Sequence, residues 1–179
     1  TLAYLLPIMA ATASAAPVLP EPPTPDLPAS LRDRLHRNSA LYLAPTKALA
    51  HDQERVCREV GPKDWLVSTL DGDSDDAERR FAREQARYVL TNPDMLHRTV
   101  LPSHSRWASL LGSLRYVVID EAHRYRGVFG AHVAQVIRRL RRLCRMHGAD
   151  PVFVLSSATS TNAAEAGARL LGVETVSYT

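Results

Sequence analysis

Apolar positions along this chain gather into short runs: "ALYLA" (40–44), "WLVSTL" (65–70), "RYVLT" (87–91), "RYVVID" (115–120) and "PVFVLS" (151–156). None alternates strictly between polar and apolar residues, so each is expected to be covered on both faces. Segments of helical character separate them, at 46–59, 74–86, 93–98, 104–111, 128–147 and 162–171. Strands alternating with helices in this way predict a three-layer α/β domain: a mostly parallel sheet between helical layers, joined by right-handed crossovers. The clearest helix is "GAHVAQVIRRLRRLCRMHG", in which Val133, Val136, Ile137, Leu140, Leu143 and Cys144 recur at helical spacing as a buried stripe. Arg138, Arg139, Arg141, Arg142 and Arg145 fall mostly on its other side, and Gly148 stops it. Those arginines read either as a solvated face that suits the helix C-terminus or as a nucleic-acid patch.

One segment departs from the pattern. "APVLPEPPTPDLP" (16–28) is proline-dense, excludes helix or central strand, and is expected to be an exposed loop. At 179 residues, with 45% hydrophobic and 23% charged residues, the chain has the composition of one globular domain. The net charge of +3 permits a polyanionic partner without requiring one. Cys57 and Cys144 stand far apart with no paired-ligand spacing, which argues against a disulfide scaffold or zinc site and suits a reducing cytoplasm. His51, His97, His104, His132 and His147 likewise lack metal-ligand spacing and read as structural or surface residues. "TLAYLLPIMAATASAAP" resembles the core and cleavage site of a signal peptide, but it has neither a starting Met nor a basic lead-in. Pro7 interrupts it, and it is too short to span a membrane.

The chemistry concentrates at Asp120 and Glu121, which come directly after the apolar run Tyr116 to Ile119. Ligands of open parallel sheets bind beyond the carboxyl ends of the strands, where these two acids are expected to lie. One reading makes either of them a helix cap. In the other, which fits nucleotide triphosphatases, one carboxylate addresses Mg²⁺ and its neighbour orients the attacking water.

"DEAH" (Asp120 to His123) after "VVI" resembles motif II of the superfamily 2 helicases, the DEAD/DEAH-box group. Further segments resemble that family's motifs in the same order: "APTKALAHDQ" (44–53) motif Ia, "LTNPDMLH" (90–97) motif Ib, and "SSAT" (156–159) motif III. "DGD" (71–73) stands where the family usually has Thr-Gly-Asp. "TNPDMLH" together with "DEAHRYRGVFGAHVAQVIRRLRRLC" resembles the bacterial DNA-repair helicases of the mitomycin-repair type. Those resemble 3′-to-5′ DNA translocases and carry a cysteine-rich zinc module that this sequence lacks. The resemblance implies a RecA-like P-loop NTPase fold that uses ATP and Mg²⁺. It implies Mg²⁺ on Thr1 and Asp120, and a water polarised by Glu121. Pro45, Thr46, Lys47, Gly72, Asn92 and Asp94 would hold single-stranded or partly duplex DNA by its backbone. Residue by residue, Thr46 can cap the helix after Pro45 and leave N–H groups facing a phosphate, with Lys47 as an added charge. Asn92 is an Asx-type cap for the next helix, and Gly72 permits close backbone approach. Ser157, Ala158 and Thr159 would relay nucleotide state to the DNA side, with ordinary turn hydroxyls as the alternative. His123 reads either as a core histidine or as a link between the neighbourhood of Glu121 and Ser157.

No "GKT" or "GKS" occurs, yet "TLAYLLPIM" resembles the end of the phosphate loop and the helix behind it, with Thr1 as the loop's last residue and Leu2 to Met9 as the buried helix. The expectation is therefore a first motor domain, 1–179, truncated at its N-terminus and separated from a second motor domain and its arginine finger. This piece alone is expected to be inactive. RNA as substrate, or a non-catalytic remnant acting as an interaction module, are the alternatives.

Overall fold

The structure, a computed structural model, describes residues 2–13, 38–157 and 163–173. Its sheet contains β1 (Ser39–Leu43), β2 (Val67–Thr69), β3 (Tyr88–Thr91), β4 (Leu114–Ile119) and β5 (Val152–Leu155). The strands lie in the order β2-β3-β1-β4-β5, and every pair is parallel. Its helices are α1 (Leu2–Ala13), α2 (Lys47–Val60), α3 (Asp76–Glu84), α4 (Pro93–Met95), α5 (Ala108–Ser113), α6 (Gly127–Met146) and α7 (Ala163–Leu171). The proline-rich 16–28 segment and Thr1 lie outside the described residues.

Successive strand residues point to opposite faces, which gives the domain two apolar layers. Leu41, Leu43, Val89, Val117 and Ile119 pack on one side with Ala82 of α3, Leu110 of α5 and the Val133, Ile137 and Leu140 stripe of α6. Ala40, Tyr42, Tyr88, Leu90 and Val118 pack on the other with Leu5 and Ile8 of α1, Ala50 and Cys57 of α2, and Trp65. The predicted three layers are thus present. The expected burial on both faces holds for β1 and β3, whose residues are all buried, but not for β5. There Val152 is 58% exposed and the rest only half-buried: among the described residues β5 ends the sheet with β4 as its one strand neighbour, a position set by topology rather than composition.

The helices begin and end for local reasons. Thr46 caps α2 by accepting from the Leu49 N–H, and the Gly61 N–H closes it on the Cys57 carbonyl. A Cβ on Gly61 would come within 2.7 Å of the Trp65 ring, so the close approach needs glycine. Asp75 and Glu78 form a reciprocal capping box on α3. Asn92 caps α4, which passes at once into a wider π-type turn, Leu96–Val100, that keeps Leu96, Val100 and Leu101 in the core. The helix expected at 104–111 starts later, at Ala108.

Three of the five α6 arginines depart from the solvated-face reading. Arg138 and Arg141 donate to the carbonyls of Arg169 and Leu171, at 2.9 and 2.8 Å, and so cap the last turn of α7. Arg139 donates to the Leu101 carbonyl. These three clamp elements together, while Arg142 and Arg145 stay exposed as the solvated-face reading expects, Arg145 pairing with Asp150.

The helix α1 runs longer than the Leu2 to Met9 expected, and Leu6 on it is 50% exposed. It is pinned by a relay in which the Trp65 indole N–H donates to Thr12 Oγ1 (3.0 Å) and Thr12 donates to the Ile8 carbonyl (2.8 Å). Both cysteines are buried free thiols, pushed up to about 12 by burial. Among the described residues no helix is long and apolar enough to cross a membrane, and no His, Cys, Asp or Glu cluster of three or more could hold a metal ion.

Candidate nucleotide and nucleic-acid site

Asp120 and Glu121 stand at the carboxyl end of β4, beside β1, with Leu43 paired to Ile119. The Asp120 N–H donates to the Leu43 carbonyl at 3.0 Å and so extends the ladder by one rung. Its carboxylate is held at both oxygens. Oδ1 accepts from the Glu121 N–H at 2.9 Å, and Oδ2 accepts from the phenol of Tyr42, which projects from β1. Burial, and next the hydrogen bond to Asp120, push the Tyr42 phenol far above its ordinary value, so it stays a donor. Sequence reading missed Tyr42, since the pairing of β1 with β4 that brings it to Asp120 is written in no local motif.

Glu121 adopts the left-handed conformation, φ 50° and ψ 41°, and among the described residues it is the only non-glycine with positive φ. Its side chain caps nothing, which removes the helix-cap reading for this residue. It faces outward, with Oε2 3.3 Å from Nε2 of His123. His123 is half-buried and its Nδ1 has no partner, so the histidine is linked to Glu121 itself. The turn is tied to β5 by backbone: the Ser156 N–H donates to the Ile119 carbonyl (2.9 Å) and the Ala122 N–H to the Ser156 carbonyl (2.8 Å). This tie runs through Ser156. Ser157 is exposed and its hydroxyl reaches none of the motif II residues, while Ala158 and Thr159 lie outside the described residues.

The six residues expected along a nucleic-acid strand come together. Pro45, Thr46, Lys47, Gly72, Asn92 and Asp94 all line one open groove of about 570 Å³. Three successive strand-to-helix turns build it, after β1, β2 and β3. Pro93 and Met95 line it too, and Arg79, Arg98, Thr99 and Phe129 complete its walls. Sequence reading did not find these four, because they come from helix faces whose aim depends on packing.

The "DGD" turn is braced from α2. Lys47 Nζ lies 2.8 Å from Asp73 Oδ2, and His51 Nε2 lies 3.0 Å from Asp71 Oδ2. Asp71 also accepts the Asp73 N–H at 2.8 Å. Burial alone would raise the Asp71 carboxyl, but the Asp73 N–H, His51 and the Lys47 charge outweigh it and hold the group below the usual carboxylate range. This accounts for the departure from the family's threonine: Asp71 builds the turn. Gly72 has room on its Cβ side, with only the Lys47 ammonium 3.6 Å away, so its backbone is open to close approach.

With this geometry in place, the comparisons with known proteins agree. The DEAD/DEAH box helicase family matches residues 1–166, and the chain belongs to that family. Over 138 residues it is 53% identical to the uncharacterized ATP-dependent helicase YprA of Bacillus subtilis, a match covering 75% of this chain and 18% of that protein. It is 48% identical over 109 residues to the ATP-dependent helicase HRQ1 of Saccharomyces cerevisiae, covering 58% of this chain and 10% of that one. Among solved structures it resembles the DUF1998 helicase MrfA at TM-score 0.79 and 45% identity, covering 97% of this chain and 25% of that one. A DNA-bound MrfA structure gives TM-score 0.73 and 51% identity, with 80% and 19% covered. The chain therefore spans a quarter or less of each of these relatives, and the likeness to MrfA agrees with the mitomycin-repair-type resemblance.

Proposed function

We propose that this chain is the first motor domain of a cytoplasmic ATP-dependent DNA helicase that couples ATP hydrolysis to movement along single-stranded DNA in repair. The observation that carries the reading is adjacency. The acid pair ends β4, the groove begins where β1 ends, and these two strands are neighbours joined by the bond from Tyr42 to Asp120.

Asp120 offers hard oxygen donors of the kind Mg²⁺ takes, and with Thr1 it would hold that ion beside ATP. When bound, the ion neutralises phosphate charge. The chain's own residues do the rest. Glu121 orients the attacking water, and the left-handed turn places its carboxylate outside the Asp120 cradle. His123 restrains that carboxylate through the pairing at 3.3 Å. Thr46, Lys47 and Asn92 hold the strand by its phosphates, giving affinity without sequence readout. A second motor domain of the same polypeptide closes on this one around nucleotide. DNA is favoured over RNA by the likeness to MrfA, which has been crystallised on DNA.

The test is ATP hydrolysis by the protein with its flanking segments, given single-stranded DNA, RNA or neither. Stimulation by DNA, lost in Glu121→Gln, is the expected result. Stimulation by RNA alone would move the substrate. No stimulation by either, with the fold intact, would leave the interaction-module reading.

A further inference from the structure

The groove contains more than phosphate-binding chemistry. Phe129, in the first turn of α6, is 48% exposed on its wall, beside Val128 at 91%. A large aromatic left open to water in a polar groove costs solvation free energy unless something covers it. Three cations line the same groove, Lys47, Arg79 and Arg98, and the Arg79 Nε is buried without a partner. Phe129 packs against Tyr125, whose ring centroid lies 5.9 Å away at an interplanar angle of 38°, so its ring has a fixed neighbour as well as an exposed part. Cations that track a backbone together with an aromatic face are the combination that binds single strands by stacking.

We infer that Phe129 is a stacking platform for one nucleobase of the strand lying in this groove, with the strand's phosphates on the Thr46, Lys47 and Asn92 side. This rests on the groove being the strand path. The platform uses a π-face that all bases share, so it adds affinity without reading sequence and accepts a base on either sugar.

The test uses the protein with its flanking segments and three probes: oligothymidylate, the same strand made wholly abasic, and oligouridylate. Phe129→Ala is expected to weaken the two base-bearing strands by roughly 5- to 150-fold, the span for losing one stacked base, and to leave the abasic strand unchanged. Phe129→Trp is expected to keep the affinity and to show indole fluorescence quenched by the base-bearing strands alone. Lys47→Ala reports separately on the groove and should weaken all three probes. Equal losses on abasic and base-bearing strands in Phe129→Ala would make the ring a structural support and overturn the platform. Unchanged binding in Phe129→Ala, with Lys47→Ala still weakened, would overturn it as well. If Lys47→Ala also bound normally, the strand path itself would fall.

Discussion

Replacing Glu121 by glycine should change the stability of the fold only slightly while removing the group proposed to hold the water. Left-handed backbone costs a side-chain-bearing residue about 1–2 kcal/mol, and Glu121 carries that cost at φ 50°. Glycine relieves it, but gives the unfolded chain freedom that takes back about 0.4–1 kcal/mol. The substitution also removes the pairing with His123 at 3.3 Å, between side chains 35% and 29% exposed; pairs so open to solvent contribute about 0–1 kcal/mol. The sum runs from about 1 kcal/mol less stable to about 1.6 kcal/mol more stable, a shift in Tm of roughly −4 to +6 °C for a domain of this size. Glu121→Asn, which tolerates the left-handed region without added freedom, should behave alike. The assay is urea unfolding of the 179-residue chain monitored by tryptophan fluorescence, since Trp65 and Trp107 are both buried. A loss of about 2 kcal/mol or more in Glu121→Gly would exceed every contribution this side chain has been assigned. That outcome would refute the idea that Glu121 occupies a strained position for its chemistry.

Two further outcomes are expected. Thr12→Val should destabilise the chain by about 1–3 kcal/mol, because the buried Trp65 N–H loses its acceptor; urea midpoints measure it, and an unchanged midpoint would refute the relay. Asp71, whose folded carboxyl lies below its unfolded value, stabilises the fold above that unfolded value of about 3.9 and loses the contribution as pH falls through the folded one. Asp71→Asn should therefore unfold at lower urea than the parent at pH 7, with the gap narrowing below about pH 4, and a gap that widened in acid would contradict the brace from His51 and Lys47.

The elements most legible in the sequence were those whose burial is complete. The runs at 40–44 and 87–91 announce buried strands, and β1 and β3 fall within a residue of them. The same logic overreached at β5, where composition resembles a central strand but topology leaves one side uncovered. The groove was legible because its six expected residues sit in caps and turns, whose chemistry is local. Phe129, Arg79 and Arg98 were not, since a helical residue's aim is settled only when the helix docks. Tyr42 reads as a core aromatic and is one, yet its hydroxyl reaches Asp120 across a register that no local pattern encodes. The α6 arginines misled in another way. Their spacing placed them opposite the core stripe, but α7 arrives there and offers its terminal carbonyls.

The strand order has a kinetic consequence. β1 is synthesised first of the five but lies in the middle of the sheet, paired on one side to β3 and on the other to β4. It can form no rung until those later segments leave the ribosome, and its all-parallel pairings close long loops that fold slowly. Until Ile119 emerges, Leu41, Tyr42 and Leu43 have only the α1 and β3 part of the packing that will bury them, and in that interval the nascent chain carries apolar surface that β4 has yet to cover.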